Sequence, residues 1–214
     1  MKSKSVFVTE TFTSIQGEST WAGTPCFFIR LSGCNLRCRY CDSTHSYPCG
    51  RKTLVASLAR QFAASSAAIA EITGGEPLLQ PGFRALALAI WTAGGGRPVL
   101  VETNGSKNIS AIPEGVIAVM DLKCPDSGES EAMDLENLAR LRAHDEVKFV
   151  ISSRRDFVWA RRLVVKNDLA RRCHAVLFSP VQERVAANVL AAWVIEAGLP
   201  VRVQVQLHKV LGVL

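Results

Sequence analysis

Three cysteines fall within eight residues, in Gly33-Cys34-Asn35-Leu36-Arg37-Cys38-Arg39-Tyr40-Cys41-Asp42. Thiolates are soft ligands suited to iron–sulfur clusters or zinc, so the surrounding fold has to present these sulfurs to a metal centre. A structural zinc site uses four ligands, and the fourth would have to come from Cys49 or His45. Electron-transfer [4Fe–4S] clusters likewise use four cysteines. Three leave one iron without a protein ligand, and an open position is what a catalytic metal site keeps for its substrate.

Around this loop the sequence alternates short β-branched or aromatic runs with longer helical patterns, the mark of a parallel α/β sheet. Strands are expected at Val6–Glu10, Cys26–Leu31, Ala68–Thr73, Pro98–Glu102, Val116–Leu122, Glu146–Ile151, Ala175–Ser179 and Val201–Gln206. Helices are expected at Leu54–Ser65, Phe83–Thr92, Leu135–His144, Phe157–Ala170 and Val185–Ala197. Residues 1–214 read as a single domain. The chain is short of the ~250 residues of a closed eightfold barrel. The expected architecture is a partial, open barrel of the (βα)6 type with an N-terminal strand extension. Polar motifs recur where such strands end: Gly33-Cys34, Thr73-Gly74-Gly75-Glu76-Pro77, Glu102-Thr103-Asn104-Gly105, Asp121-Leu122-Lys123, Ser152-Ser153 and Ser179-Pro180. That recurrence puts one site at one rim.

Hydrophobic residues make up 48% of the chain and are spread evenly enough to build a core without disorder. No apolar run is long enough to span a bilayer, and residues 1–14 lack an export signal, so a cytoplasmic location is expected. The net charge of +6 is concentrated at Arg154, Arg155, Arg161, Arg162, Lys166, Arg171 and Arg172. This stretch reads as a solvated helix face or as a docking face for an acidic partner. No aromatic residues interleave it as nucleic acid would require. Cys26, Cys124 and Cys173 stand in or beside apolar segments and read as buried structural thiols. Cys49 is ambiguous.

Cys34, Cys38, Tyr40 and Cys41 resemble the signature of the radical S-adenosylmethionine superfamily. The resemblance implies that S-adenosylmethionine chelates the open iron of a [4Fe–4S] cluster and is cleaved to a 5′-deoxyadenosyl radical. Thr73-Gly74-Gly75-Glu76-Pro77 is similar to the loop that meets the methionine amino group, where glycines allow close backbone approach.

Four further stretches narrow the family: Ser14-Ile15-Gln16-Gly17-Glu18 with Gly23 and Phe28-Ile29-Arg30-Leu31; Asp42-Ser43; Asp121-Leu122-Lys123-Cys124-Pro125; and Gln206-Leu207-His208-Lys209-Val210-Leu211-Gly212. Gln16 offers amide donors and an acceptor, Glu18 a carboxylate and Arg30 a planar fork, a set suited to a flat heterocycle bearing an acid. Together with the triad they resemble the 7-carboxy-7-deazaguanine synthase family of queuosine biosynthesis, over essentially the whole chain. The resemblance implies ring contraction of 6-carboxy-5,6,7,8-tetrahydropterin to 7-carboxy-7-deazaguanine with loss of ammonia.

It further implies substrate contacts at Ile15, Gln16, Gly17, Glu18, Arg30, Thr73 and Leu214. On the S-adenosylmethionine side it implies Tyr40, Gly75, Glu102, Asp121, Leu122, Lys123, Ser179, Pro180, Val181 and Gln182. Mg²⁺ would bind Ser43, where family members usually carry threonine; both offer a hard hydroxyl oxygen. Asp42, His208 and Lys209 are further candidates. Implied partners are a flavodoxin or ferredoxin-type reductant and a second copy in a homodimer, with neither membrane nor nucleic acid. The competing readings are a glycyl-radical activase, which shares the cysteine signature but acts on a protein chain, and a zinc-binding or electron-carrying module. Glu71 reads as exposed on its strand. Lys148, between Val147 and Phe149, reads as pointing into the barrel, where an amine needs a partner such as Glu102.

Overall fold

The structure is a computed structural model describing residues 4–213. Among them, nine strands form one sheet: β1 Ser5–Ile15, β2 Pro25–Leu31, β3 Arg51–Leu54, β4 Ile69–Gly74, β5 Val99–Thr103, β6 Ile117–Asp121, β7 Glu146–Ile151, β8 Ala175–Pro180 and β9 Arg202–Val203. Their order is β3-β1-β2-β4-β5-β6-β7-β8-β9. From β2 through β9 every pairing is parallel, whereas β1 runs antiparallel to β2 and β3 antiparallel to β1. β3 and β9 do not pair, so the barrel stays open with β1 and β3 as its extension. The helices are α1 Val55–Ala64, α2 Phe83–Ala93, α3 Asn137–Arg140, α4 Arg154–Lys166, α5 Leu169–Arg172, α6 Ala187–Glu196 and α7 Leu207–Leu211.

Strand alternation makes two cores. Phe27, Ile29, Ile72, Val101, Met120, Phe149 and Phe178 point outward, where they pack with Phe62, Leu86, Phe157 and Leu190 of the helices. Phe149 meets Phe178 edge-on with ring centres 5.5 Å apart. Inward, Cys26, Phe28, Ile69, Leu100 and Val119 form an apolar plug, completed by Phe12 and Trp21. Phe12 and Phe28 stack at 4.9 Å. Above the plug the inward positions turn polar, and the site begins there.

Several expected boundaries are corrected. β1 runs five residues beyond Glu10, to Ile15, in a ladder with β2. β3 was not anticipated, because Arg51 and Lys52 give it no apolar period; its charges suit an exposed edge strand. The expected helix at Leu135–His144 shrinks to Asn137–Arg140. Asp145 takes the Arg142 N–H at 2.9 Å, and Asn137 spends its side chain on Ile109, Gly105 and Lys107, so local bonds compete with the helix ladder. The expected strand at Val201–Gln206 pairs only at Arg202–Val203, because Gln204 and Gln206 turn their side chains into the site loop. α4 begins at Arg154 rather than Phe157, since Ser153 caps the Asp156 N–H. Cys26, Cys124 and Cys173 are buried free thiols, and no helix among the described residues is long and apolar enough to cross a membrane.

Asp145, fully buried, also accepts from Ala118 N at 2.9 Å and from the Arg142 Nε and Nη2 at 2.8 Å each. Asp145→Ala would leave the buried Ala118 N–H without an acceptor and remove the counter-charge of the Arg142 guanidinium, which would keep only its bonds to Pro113 O and Val116 O. The expected loss is about 3 kcal/mol in urea unfolding.

Glu71 is not exposed. Its side chain lies inside the barrel, level with Phe28 and Leu100 of the plug. Burial, then the charge of Glu102, push its carboxyl well above the ordinary 4.5, against the pull of Lys148; Glu18 and the Cys26 thiol also face it. Between that ordinary value and the folded one, the unfolded chain holds fewer protons than the folded chain, so stability falls as pH rises, by up to ~1.4 kcal/mol per unit. Glu71→Gln lacks this loss. The margin of its urea midpoint over the parent's should widen from about pH 5 to about pH 8; a constant margin would show an ionised Glu71.

Candidate active site

The open rim encloses a cavity of about 780 Å³, within the range of small-molecule sites. The cysteine loop leaves β2 through Gly33, at φ 88°, whose N–H donates to Ser46 O at 2.8 Å. Leu36 anchors the loop in the outer core. The Arg37 Nη1 donates to Cys34 O at 2.9 Å and Leu36 O at 2.7 Å, while its guanidinium covers the Tyr47 ring at 4.2 Å. Arg39 N donates to Ser127 O at 3.0 Å, and the Tyr40 hydroxyl to Val150 O at 3.4 Å. Cys34, Cys38 and Cys41 are left as free, half-buried thiols on one wall of the cavity. Burial pushes the Cys34 thiol up, and the Cys38 thiol up to about 11, so ionising them calls for a cation alongside. Cys49 is exposed and lies off the cavity wall.

The loop after β4 closes onto this one. A Cβ at Gly75 would sit 2.1 Å from Gly33 O, and one at Gly74 2.0 Å from Leu31 O, so both positions require glycine. Glu76, buried, accepts from Leu78 N at 2.9 Å, Thr103 Oγ1 at 2.8 Å and Asn104 N at 2.7 Å, locking the loops after β4 and β5 together. Asn104 Nδ2 in turn donates to Asn35 Oδ1 at 3.3 Å.

Lys148 forms the hub of the interior. Its ammonium bonds Glu18, Glu102 at 2.6 Å and Asp121 at 3.3 Å. Burial opposes its charge, but the three carboxylates outweigh that and hold the ammonium well above the usual lysine range. Asp121 also pairs with Lys123 at 2.8 Å; despite burial, the two lysines hold its carboxyl low. The other Asp121 oxygen, Oδ1, is buried without a partner.

At the mouth, Arg30 Nε donates to Glu10 at 2.8 Å, and Arg30 Nη1 to Ser43 Oγ at 3.5 Å. Ser43 Oγ donates to Asp42 at 3.1 Å. Against some loss of hydration in the cavity mouth, Lys209 and Lys148 bring the carboxyl of the exposed Asp42 down to about 2. The segment from Gln204 reaches back over the β1–β2 turn. Gln206 Nε2 donates to Glu18 at 2.7 Å, Leu207 N to Gly17 O at 2.8 Å, and His208 packs so closely that a Cβ on Gly17 would meet its ring at 1.8 Å.

Most of the residues singled out in the sequence therefore line one cavity: Ile15–Glu18, Arg30, Tyr40, Asp42, Ser43, Thr73, Gly75, Glu102, Asp121, Lys123, Ser179–Gln182, His208 and Lys209, with the three cysteines. Leu122 does not; its side chain is buried in the outer core. Leu214 lies outside the described residues. Glu76 and Gln206, quoted only as parts of motifs, turn out to brace the site. Glu146, which holds Thr20 N at 3.1 Å and Thr20 Oγ1 at 2.5 Å, gave no signal in the sequence.

The donor set fits an open-sited cluster. Three free sulfurs share a wall, and among the described residues no three His, Cys, Asp or Glu side chains gather as for one metal ion. The orphaned Asp121 oxygen calls for a donor on a bound molecule, such as the hydroxyl or ammonium groups of S-adenosylmethionine.

Residues 28–121 match the radical SAM superfamily. A 7-carboxy-7-deazaguanine synthase of Koribacter versatilis is 39% identical, over 94% of this chain and 95% of its own. One of Chlorobaculum tepidum is 37% identical, over 94% and 92%. In structure the chain resembles QueE from Escherichia coli, with a TM-score of 0.75 at 22% identity over 95% of both chains. It also resembles Streptococcus suis SuiB bound to S-adenosylmethionine, with a TM-score of 0.54 at 11% identity over 80% of this chain and 44% of SuiB. Sequence identity along nearly the full length of both synthases, on a shared fold, makes this chain a member of the 7-carboxy-7-deazaguanine synthase family within the radical SAM superfamily.

Proposed function

We propose that the chain contracts the ring of 6-carboxy-5,6,7,8-tetrahydropterin to 7-carboxy-7-deazaguanine, releasing ammonia. The observation that carries this is one cavity whose wall bears three free cysteines and whose interior bears Glu18, Glu102 and Lys148. Membership of the superfamily brings a [4Fe–4S] cluster and S-adenosylmethionine as cofactors. Cys34, Cys38 and Cys41 would hold the cluster, with Tyr40, Gly75, Glu102, Asp121, Lys123 and Ser179–Gln182 about the S-adenosylmethionine. When bound, the pair supplies a 5′-deoxyadenosyl radical able to take a hydrogen atom from the substrate.

The chain's own groups bind and orient. Arg30 spends Nε on Glu10 and reaches Ser43 through Nη1, which leaves Nη2 to meet the substrate carboxylate at the mouth. Glu18, Thr73 and the Ile15–Gly17 backbone face the heterocycle. Lys148 and Glu102, in contact, can hold or pass a proton during the loss of ammonia. The segment from Gln204 to Lys209 covers the turn and helps exclude water. It also favours a small substrate over the protein chain that an activase would need to admit.

Ser43 would hold Mg²⁺. Its hydroxyl lies 3.5 Å from the Arg30 guanidinium, which repels a dication, so the substrate carboxylate is needed between them. The same reading assigns a homodimer, a cytoplasmic location and a flavodoxin or ferredoxin-type donor; the exposed Arg161, Arg162 and Lys166 of α4 suit an acidic carrier.

Anaerobically reconstituted protein, given reductant, S-adenosylmethionine and the carboxypterin, should yield 7-carboxy-7-deazaguanine and ammonia in equal amounts. If 5′-deoxyadenosine appears and the pterin stays unchanged, the synthase reading fails; zinc without iron or sulfide would refute the cluster as well. Ser43→Ala should lower turnover about tenfold and abolish stimulation by Mg²⁺ while the cluster's visible absorption is retained. An unaltered Mg²⁺ response would remove Ser43 from the metal site.

A further inference from the structure

Glu71 has no role in the proposed chemistry, yet its placement is unusual. It is a carboxyl in a layer otherwise built of Phe28, Leu100 and Ile117. Thr73, two residues along β4, faces the site one layer higher, roughly 6–7 Å along the strand. A carboxyl in an apolar layer costs stability unless a hydrogen bond compensates it. Its hydrogen-bond partner is the Gln16 amide, whose Nε2 donates to Glu71 Oε2.

That bond determines which way Gln16 faces. With Nε2 turned down to Glu71, Oε1 points up and accepts the Glu18 N–H at 3.0 Å. The Gln16 backbone is also occupied, its N–H donating to Thr24 O and its carbonyl accepting from Gly23 N, each at 2.8 Å. Glu18 then reaches Lys148 and Gln206. Gln16 is buried and its side chain is committed to the turn, so its amide serves the substrate indirectly. The remaining supports of this turn come from β7, through Glu146 and Lys148, and from Gln204–Leu207. Glu71 supports it from beneath.

We propose that Glu71 is a positioning residue: from the floor of the cavity it orients the Gln16 amide, and through it the Gln16–Glu18 turn, so that the Glu18 carboxylate faces both Lys148 and the substrate. Burial raises the carboxyl's pKa and the Gln16 bond lowers it, so the amide offsets part of the cost of placing this acid in the apolar layer. The inference rests on the carboxypterin reading for its kinetic readout but not for its structural one.

Two variants and an exchange test it. Glu71→Leu removes the acceptor and should raise KM for the carboxypterin at least tenfold. The KM for S-adenosylmethionine and the cluster absorption should hold, and 5′-deoxyadenosine released per product should rise as the substrate sits loosely. Glu71→Gln keeps a carbonyl for Gln16 and should stay within about fivefold of the parent. Gln16→Glu alone sets two carboxyls together and should resemble Glu71→Leu. Adding Glu71→Gln to it restores a donor–acceptor pair in reverse, and should bring KM back to within about fivefold. Amide exchange in the 16–23 segment should quicken in Glu71→Leu and be normal in the double exchange. An unchanged KM in Glu71→Leu, or a double exchange no better than Gln16→Glu, overturns the proposal. If the parent itself leaves the pterin unchanged, the substrate reading has failed, and the exchange rates alone decide whether Glu71 sets the turn.

Discussion

The ammonium of Lys148 holds together parts of the chain that are far apart in sequence, one of them, Glu18, on no ladder with it. It joins β7 to Glu18 of the β1–β2 turn, to Glu102 of β5 and to Asp121 of β6. A buried amine without partners would give up its proton or unfold its surroundings. With three carboxylates it stays charged, and each carboxylate is aimed by the bond it makes. The polar interior of the barrel follows from this one cation: Asp121 is left with one oxygen to offer, Glu102 also accepts from Thr73 at 3.1 Å, and Glu18 faces the mouth.

The fold supplies the rest through its layering. Outward-facing residues pack under the helices and carry most of the hydrophobic burial, leaving inward positions free for chemistry. An apolar plug of Phe28, Leu100 and their neighbours closes the lower end. The rim loops are bound to one another rather than to solvent, through Glu76 and through the close approach of Gly75 to Gly33. A cluster held there would rest on a backbone already fixed by its neighbours.

Much of this could be read from the sequence where the signal is local. The cysteine spacing, the glycine pair after β4 and the polar residues at successive strand ends all mark one rim, because each depends on nearby residues and a shared topology. What escaped depends on contacts across the open side. Glu71 looked like an exposed strand residue, since the plug that buries it is assembled from five strands. The helix expected at Leu135–His144 satisfies propensity, but Asp145 and Asn137 draw the backbone elsewhere. Gln204 and Gln206 read as strand because their period is right, whereas their partners lie nearly two hundred residues away, at Ser19 and Glu18. Leu122 differs from its motif neighbours Asp121 and Lys123 in sending its side chain to the outer core, which a short motif does not reveal.

The unpaired edges of the sheet have a consequence for how such an enzyme changes over evolutionary time. Where β9 and β3 fail to meet, the β1–β2 turn is tied across by bonds that each use at least one side chain: the Ser19 N–H to Gln204, the Thr20 N–H and hydroxyl to Glu146, and Gln206 to Glu18. A strand ladder tolerates revision only in register, because slipping one residue reverses every face. A seam of individual side-chain bonds carries no such rule, and its members can be replaced one at a time. The width of the chamber is therefore open to gradual adjustment on this side, while β2 and β4, from which the cysteine loop and the Gly74-Gly75 loop leave, are bound by their ladder to keep their register.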